Sequence, residues 1–244
     1  MTFEEVIKLA EAGDVDAMVL AVQEFVWNEH EFFDMTDLEN QKIKEKTVQY
    51  LNTAILNGNV AAMNQLGAMY AEGRLVERSP EQAFLFYKMA ADHGDAIATS
   101  NLGFCYLYGN GTEKNPEEAY KTFSKVALMG MDEALVRLGD MFRNGTYVTK
   151  DLNMAYELYH KACKSSRRDL DDWNMQQVYS DSCTRIGDFY LSGEVVDRDV
   201  AEAIKWYASA LKYYKIRESR GDAYCAHGLE RTKEKLREAA SMLE

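Results

Sequence analysis

The stretch from Ala62 to Gly94, AMNQLGAMYAEGRLVERSPEQAFLFYKMAADHG, returns three more times along the chain. The second copy lies 36 residues further on and the third another 36, while the fourth follows after 12 additional residues. Two glycines keep their phase in every copy: Gly67, Gly103, Gly139 and Gly187 in one position, and Gly73, Gly109, Gly145 and Gly193 in the other. A fixed period of this length is typical of proteins that stack one supersecondary unit repeatedly.

Each copy has the pattern of two helices joined by a turn. Met63, Leu66 and Tyr70 follow one face of a helix, and Ala83 with Tyr87 begins a second apolar face. The second glycine of each copy stands where a helix ends in a left-handed residue. Four residues in register are predicted N-caps of the second helices: Ser79, Asn115, Asp151 and Asp199.

The glycine inside the first helix needs a physical reason, because glycine costs about 0.5–1 kcal/mol relative to alanine there. Its recurrence predicts a close approach of the two helices, with a small residue such as Ala83 opposite it. The ring of Tyr70 or Tyr87 would fill the space that remains.

The pattern A-x-x-x-L-G-x-x-Y-x-x-G, followed by A-x-x-x-Y-x-K-A-A, resembles the Sel-one-like repeat, a relative of the tetratricopeptide repeat. Residues 62–163 and 183–210 carry the resemblance. It implies an all-α, right-handed α/α superhelix of about five helix–turn–helix repeats with capping helices, which holds other proteins.

On this basis the chain divides into one solenoid with seven segments. The ends are an N-terminal cap with a degenerate first repeat (1–58) and a C-terminal capping helix (216–244). In the N-terminal segment we expect a helix over residues 3–12, which ends at Gly13, and a second helix over about 15–33. Four repeats are expected at 59–94, 95–130, 131–164 and 181–215. The insert at 165–180 has two interpretations. It is either a solvated loop whose Trp173 packs against the protein, or a loop that extends the edge of the binding surface.

Composition excludes several classes of function. The net charge of −12 argues against nucleic acid and anionic membrane surfaces as partners. No apolar run has membrane-spanning length, and the acidic opening MTFEEVIKLAEAGDVDAM does not resemble a signal peptide. A cytoplasmic location is therefore expected.

Motifs for catalysis, cofactors and metals are weak. Ser209 and Lys212 spell S-x-x-K, the acylating motif of penicillin-recognising enzymes, but no K-T-G or S-D-N accompanies them. His30, His93, His160 and His227 fall in different units without metal-ligand spacing. We therefore expect neither an enzyme nor a bound cofactor or metal.

Cys163 and Cys183 have a spacing that resembles the cysteine-rich, secreted branch of the family, in which such pairs form disulfides across adjacent helices. Here a 12-residue insert separates them and only one unit has the pair. In a reducing compartment two free thiols are the favoured interpretation.

The resemblance also implies which residues line the concave face, because first helices form that face in tetratricopeptide-like arrays. Counting from the repeat glycine, these positions are Asn64, Ala68, Glu72, Ser100, Phe104, Leu107, Tyr108, Val136, Asp140, Arg143, Asn144, Thr184, Asp188, Leu191 and Ser192.

Phe104, Leu107 and Tyr108 bring an unusual amount of apolar area to one repeat. They are either core residues or an apolar anchor pocket rimmed by Glu72, Asp140 and Arg143. The second interpretation favours a protein-interaction module, an adaptor or scaffold, whose partner peptide carries basic residues beside an apolar anchor. A β-lactam-binding enzyme and a self-assembling structural unit are the alternatives.

Overall fold

The computed structural model describes residues 2–27 and 37–243, and every regular element in these ranges is helical. The α-helices there are Phe3–Glu11 (α1), Val15–Trp27 (α2), Asp37–Leu56 (α3), Val60–Glu72 (α4), Pro80–Asp92 (α5), Ala96–Tyr108 (α6), Pro116–Leu128 (α7), Asp132–Asn144 (α8), Leu152–Ser166 (α9), Trp173–Ser192 (α10), Val200–Ser219 (α11) and Ala226–Ser241 (α12). The predicted all-α repeat fold is thus confirmed. The chain forms two compact units, Met1–Thr122 and Phe123–Glu244.

The predicted caps are present at the second helix of each repeat. The side chains of Ser79, Asn115, Asp151 and Asp199 each accept a hydrogen bond from a backbone N–H three residues later, at 2.9–3.3 Å. The first helices end at glycines with φ between 67° and 77°, in the left-handed region. These caps satisfy backbone groups that a helix end would otherwise leave without partners, so the repeat boundaries follow from local chemistry.

The first unit contains the N-terminal cap and the first two clear repeats. Helix α1 is followed by Gly13 at φ +98°, as predicted for residues 3–12. A helix was predicted over about 15–33, and α2 covers Val15–Trp27, while residues 28–33 lie outside the described ranges. Helix α3 has 20 residues, which accounts for the extra length of this segment.

The second unit shows where the insert goes. Helix α10 begins at Trp173 and has 20 residues instead of the 13 of α8, so residues 173–179 extend a first helix. Only residues 167–172 connect α9 to α10. Trp173 is 41% exposed and its ring lies 5.6 Å from the guanidinium carbon of Arg217, a buried residue of α11. The insert therefore mainly lengthens the helical layer.

The internal glycines make the close contact that the sequence predicts, but with a different neighbour. A Cβ built at Gly139 would lie 2.5 Å from Cε1 of Tyr159, and one at Gly187 would lie 2.7 Å from the same atom of Tyr207. In the first unit Gly67 meets Tyr87 in the same way, at 2.8 Å. The tyrosine ring itself, and not the small residue of the second helix, occupies the space that glycine leaves.

Candidate partner-binding surface

In the first unit, α6 carries Phe104, Leu107 and Tyr108, which we call the aromatic patch. The rings of Phe104 and Tyr108 stack with centroids 6.3 Å apart and planes within 3° of parallel. Tyr108 is 63% exposed, whereas Phe104 and Leu107 are half-buried. The three side chains thus present an apolar surface on a first helix.

A small cavity of about 160 Å³ lies beside the patch, lined by Phe104, Ala71, Tyr87, Asn101 and Asn110 among others. The side-chain amide of Asn101 donates to Oδ1 of Asn64 at 3.3 Å, which links α6 to α4. Asn101 was not among the residues predicted from the sequence. Its spacing of three from Phe104 and seven from Tyr108 was the signal that could have identified it.

The other predicted positions of this unit differ in accessibility. Asn64 and Ala68 are half-buried, and Glu72 pairs with Arg74 at 2.6 Å. Ser100 is only 4% exposed, so its side chain lies in the helix packing. Asp140 and Arg143, the expected rim residues, belong to the second unit and are described with it.

In the second unit, several predicted groove positions lie inside the protein. Val136, Thr184 and Asp188 are 1%, 2% and 7% exposed. Thr184 shares a hydrogen bond of 2.9 Å with Thr232 of α12. Asn144 is exposed at the end of α8. Most of the predicted groove positions in the second unit therefore take part in packing between helices.

Asp140 and Asp188 hold the centre of an ion-pair network. Asp140 accepts from Nε and Nη2 of Arg185 at 2.6 and 2.8 Å and from the Tyr159 hydroxyl at 2.8 Å. Burial alone would raise the pKa of Asp140, but the charge and hydrogen bonds of Arg185, the hydrogen bond of Tyr159 and the charge of Arg137 together outweigh it, so the pKa is lowered. Arg185 binds α10 to α8 through this carboxylate.

Asp188 repeats the arrangement in the next copy. It accepts from Arg143 at 3.1 Å, from Arg231 at 2.9 Å and from the Tyr207 hydroxyl at 3.0 Å. In both copies the tyrosine that covers the repeat glycine also donates to the aspartate that follows that glycine. Sequence reasoning placed these aspartates and Arg143 in a groove but missed Arg185 and Arg231, which come from neighbouring helices.

The same repeat position therefore differs between the units. It is Ala68 and Phe104 in the first unit but Asp140 and Asp188 in the second. The acidic pair is neutralised inside the second unit, whereas Phe104 contributes to an accessible aromatic patch. The first unit thus carries the apolar surface suited to anchoring a partner.

The geometry at Ser209 does not suit a nucleophile. Its hydroxyl donates to the backbone carbonyl of Lys205 at 2.9 Å, within α11. The ammonium group of Lys212 lies 5.2 Å from the ring centroid of Tyr213. Serine activation requires a base that takes the hydroxyl proton, and a carbonyl oxygen of the same helix does not supply one.

Cys163 and Cys183 lie side by side on α9 and α10, both buried, with sulfur atoms 3.9 Å apart. The hydrogen bond from Cys183 lowers the pKa of Cys163, whereas burial raises that of Cys183. The insert lengthens the helices without separating the two thiols. This adjacency is the one that the family resemblance implies.

His160 adds a titratable group to the core of the second unit. Its ring lies 4.4 Å from that of Tyr156 and 5.6 Å from that of Trp206, and burial lowers its pKa from the ordinary 6.5. Its buried Nε2 makes no hydrogen bond within the described residues. Folding therefore favours the neutral imidazole.

This burial predicts an acid-sensitive second unit. Because the folded pKa lies below the unfolded value, the stabilisation is present above pH 6.5 and decreases as the pH falls below it. We expect His160→Phe to flatten the slope of urea midpoint against pH between 7.5 and 5. His93→Phe, at the exposed residue that follows α5, is the matched control and should keep the wild-type slope. Equal slopes in the wild type and His160→Phe would contradict the argument.

Within the described ranges, no group of three or more His, Cys, Asp and Glu side chains could hold a metal ion. No helix described in the structure is long and apolar enough to cross a membrane.

Comparison with known proteins identifies the repeat. The family model described as Sel1 repeat matches residues 60–95, 96–131, 132–166 and 180–212. No curated protein sequence matches the chain.

Solved structures share the fold, among them three Sel1 or SLR proteins. A Sel1 repeat protein from Oxalobacter formigenes has 25% identity and a TM-score of 0.64, and a protective antigen of uropathogenic Escherichia coli with an SLR fold has 21% and 0.61. Each match covers 94% of this chain but 58% of the other. A putative Sel1 repeat protein from Klebsiella pneumoniae has 14% identity and a TM-score of 0.53, covering 96% of this chain and 100% of its own.

Proposed function

Because this chain belongs to the Sel1 repeat family, whose members generally mediate protein–protein interactions, we propose that it is a non-enzymatic adaptor or scaffold. Its partner binds along the first helices of the repeats, with the aromatic patch as the anchor. The observation that carries this proposal is the stacked pair of Phe104 and Tyr108, accessible beside a cavity of about 160 Å³. Exposed aromatic side chains next to a pocket are the usual anchors of protein interfaces.

The negative charge of the first unit favours a partner segment with basic residues. Residues 1–122 contain 20 acidic and nine basic side chains, so this unit carries most of the net charge of −12. Complementarity favours a segment with Lys or Arg beside an apolar anchor residue. Peptide recognition of this kind suits a helical groove with both apolar and polar positions, such as Asn64 and Glu72. We place the protein in the cytoplasm, where its four cysteines would stay reduced.

The test uses a peptide array in which Leu, Phe or Tyr is flanked either by Lys or by Glu. We expect the protein to bind the Lys-flanked peptides and the Phe104→Ala/Tyr108→Ala variant to bind them about thirtyfold more weakly, the loss expected for truncated anchor residues. Leu85→Ala/Met89→Ala is the matched control. It removes two apolar side chains, 49% and 41% exposed, from a second helix of the same unit and should leave binding unchanged.

Circular dichroism melting of each variant accompanies the array. Retained binding by a folded Phe104→Ala/Tyr108→Ala variant would show that recognition lies elsewhere, with residues 165–180 as the next region to test. Unfolding of that variant would show that the rings of Phe104 and Tyr108 belong to the hydrophobic core.

A further inference from the structure

A second concave site lies wholly within the second unit, where α8, α10, α11 and α12 meet. Its cavity of about 300 Å³ is the arginine pocket, whose charged lining residues are Arg137, Asp181, Arg185, Arg217, His227 and Arg231. Four guanidinium groups and a histidine thus face one carboxylate. Tyr224, 66% exposed, also lines the cavity.

Asp181, the acidic residue among those lining residues, already has partners within the protein. Oδ1 of Asp181 accepts from the Tyr214 hydroxyl at 2.5 Å, and its Oδ2 lies 3.8 Å from Nη2 of Arg137. Three of the arginines are also committed. Arg137 donates from Nη2 to Oε1 of Glu133 at 3.2 Å. Arg185 holds Asp140 with two nitrogens, and Arg217 holds Asp222 with two nitrogens at 2.6 and 2.7 Å.

Arg231 is different, because it shares its carboxylate. Only its Nη2 donates, to Oδ2 of Asp188, and Arg143 donates to the same oxygen. Asp188 therefore binds two guanidiniums, and neither of them holds this carboxylate with two nitrogens. The Arg231 side chain is 41% exposed and makes no further ion pair with the described residues. Its remaining N–H donors are available to a ligand.

The second unit as a whole is nearly neutral. Residues 123–244 contain 20 acidic and 19 basic side chains, including ten of the twelve arginines of the chain, so their net charge is −1. The net charge of residues 1–122 is −11, from nine basic and 20 acidic side chains.

We propose that the arginine pocket binds a carboxylate group of a protein segment, with Arg231 as its main donor. A guanidinium fork matches a carboxylate in shape and hydrogen-bonding geometry. The unused donors belong to the single guanidinium of Arg231, which suits one singly charged carboxylate better than a phosphate with about two negative charges. The inference rests on the proposed function in that the ligand belongs to a protein partner. It adds an acidic group to a partner whose basic part is recognised by the first unit.

Fluorescence anisotropy at low salt provides the test with three labelled peptides of equal length. One carries Glu side chains and an amidated end, one carries Gln and a free terminal carboxylate, and one carries Gln and an amidated end. Tighter binding of either carboxylate peptide than of the neutral one supports the proposal, and the better of the two identifies the source of the carboxylate.

Arg231→Gln should weaken that binding about tenfold, the loss expected for a charge-assisted hydrogen bond. Arg237→Gln, an exposed arginine of the same helix, is the matched control and should leave it unchanged. Asp188 keeps Arg143 and Tyr207 in the Arg231 variant, so the fold should persist, which a melting curve checks. Tyr224→Ala replaces a lining residue that belongs to none of these ion pairs, and it is a second variant for which the same peptide binding is measured.

Three results would overturn the proposal: equal binding of all three peptides, equal weakening by Arg231→Gln and Arg237→Gln, or displacement by inorganic phosphate at lower concentration than by the carboxylate peptides. Because these probes and variants concern residues 123–244, their failure is distinct from failure of the aromatic patch.

Discussion

Asp222→Asn should destabilise the second unit by about 3–5 kcal/mol, the cost of leaving a buried charge without its partner. Arg217 is 2% exposed, and its Nε and Nη2 bind Oδ2 of Asp222 at 2.7 and 2.6 Å. The guanidinium also lies over the rings of Trp173 and Tyr214. Asparagine keeps the shape of the side chain and the oxygen that accepts from the Tyr224 N–H. It replaces Oδ2, the acceptor of both Arg217 hydrogen bonds, with an NH2 donor and removes the charge.

Urea unfolding followed by tryptophan fluorescence measures this loss, since Trp173 contacts Arg217. The double variant Arg217→Met/Asp222→Asn removes both charges and should recover most of the stability, because buried ion pairs are often replaceable by apolar residues. Glu202→Gln breaks an exposed pair with Lys205 on the same helix and should have no measurable effect. A stable Asp222→Asn variant would show that water reaches Arg217.

The second large effect is expected at Gly111 in the loop after α6. A Cβ there would lie 1.9 Å from the carbonyl oxygen and 2.3 Å from the carbonyl carbon of Pro80, at the start of α5. Backbone atoms cannot move aside as a side chain can. Gly111→Ala should therefore cost about 1–3 kcal/mol for overpacking, in addition to about 1 kcal/mol for a left-handed alanine.

Gly94→Ala isolates the second of these contributions. Gly94 has φ +87°, close to the +72° of Gly111, but no described heavy atom outside its chain neighbours lies within 4 Å of its built Cβ. Thermal melting should show a clearly larger decrease for Gly111→Ala than for Gly94→Ala. Equal decreases would mean that the loop can retreat from Pro80 without cost. Such a retreat would also displace the end of α6, which carries Tyr108.

Local sequence signals were sufficient for the architecture. The N-caps at Ser79 and Asp151 and the left-handed glycines at Gly73 and Gly145 act within a few residues of their own positions. The period of 36 residues adds that these local units stack. Helix boundaries and repeat register were predictable because neither depends on a residue far away in the chain.

The candidate sites depended on contacts between distant residues. The periodicity placed Phe104 and Asp140 at the same repeat position, but it did not distinguish an exposed ring from a neutralised carboxylate. That difference arises because Arg185, 45 residues beyond Asp140, reaches back to it, and Arg231 reaches Asp188 from the last helix.

The sequence by itself thus determined the all-α repeat fold, the helix caps and the position of every repeat glycine. Only the tertiary structure decided which first-helix positions remain accessible and where the arginine pocket lies. Helix caps and turns are local interactions, whereas accessibility and ion pairing depend on which helices lie beside one another. Arg185 and Arg231 reach their carboxylates from other helices, and no pattern within a single repeat specifies that choice.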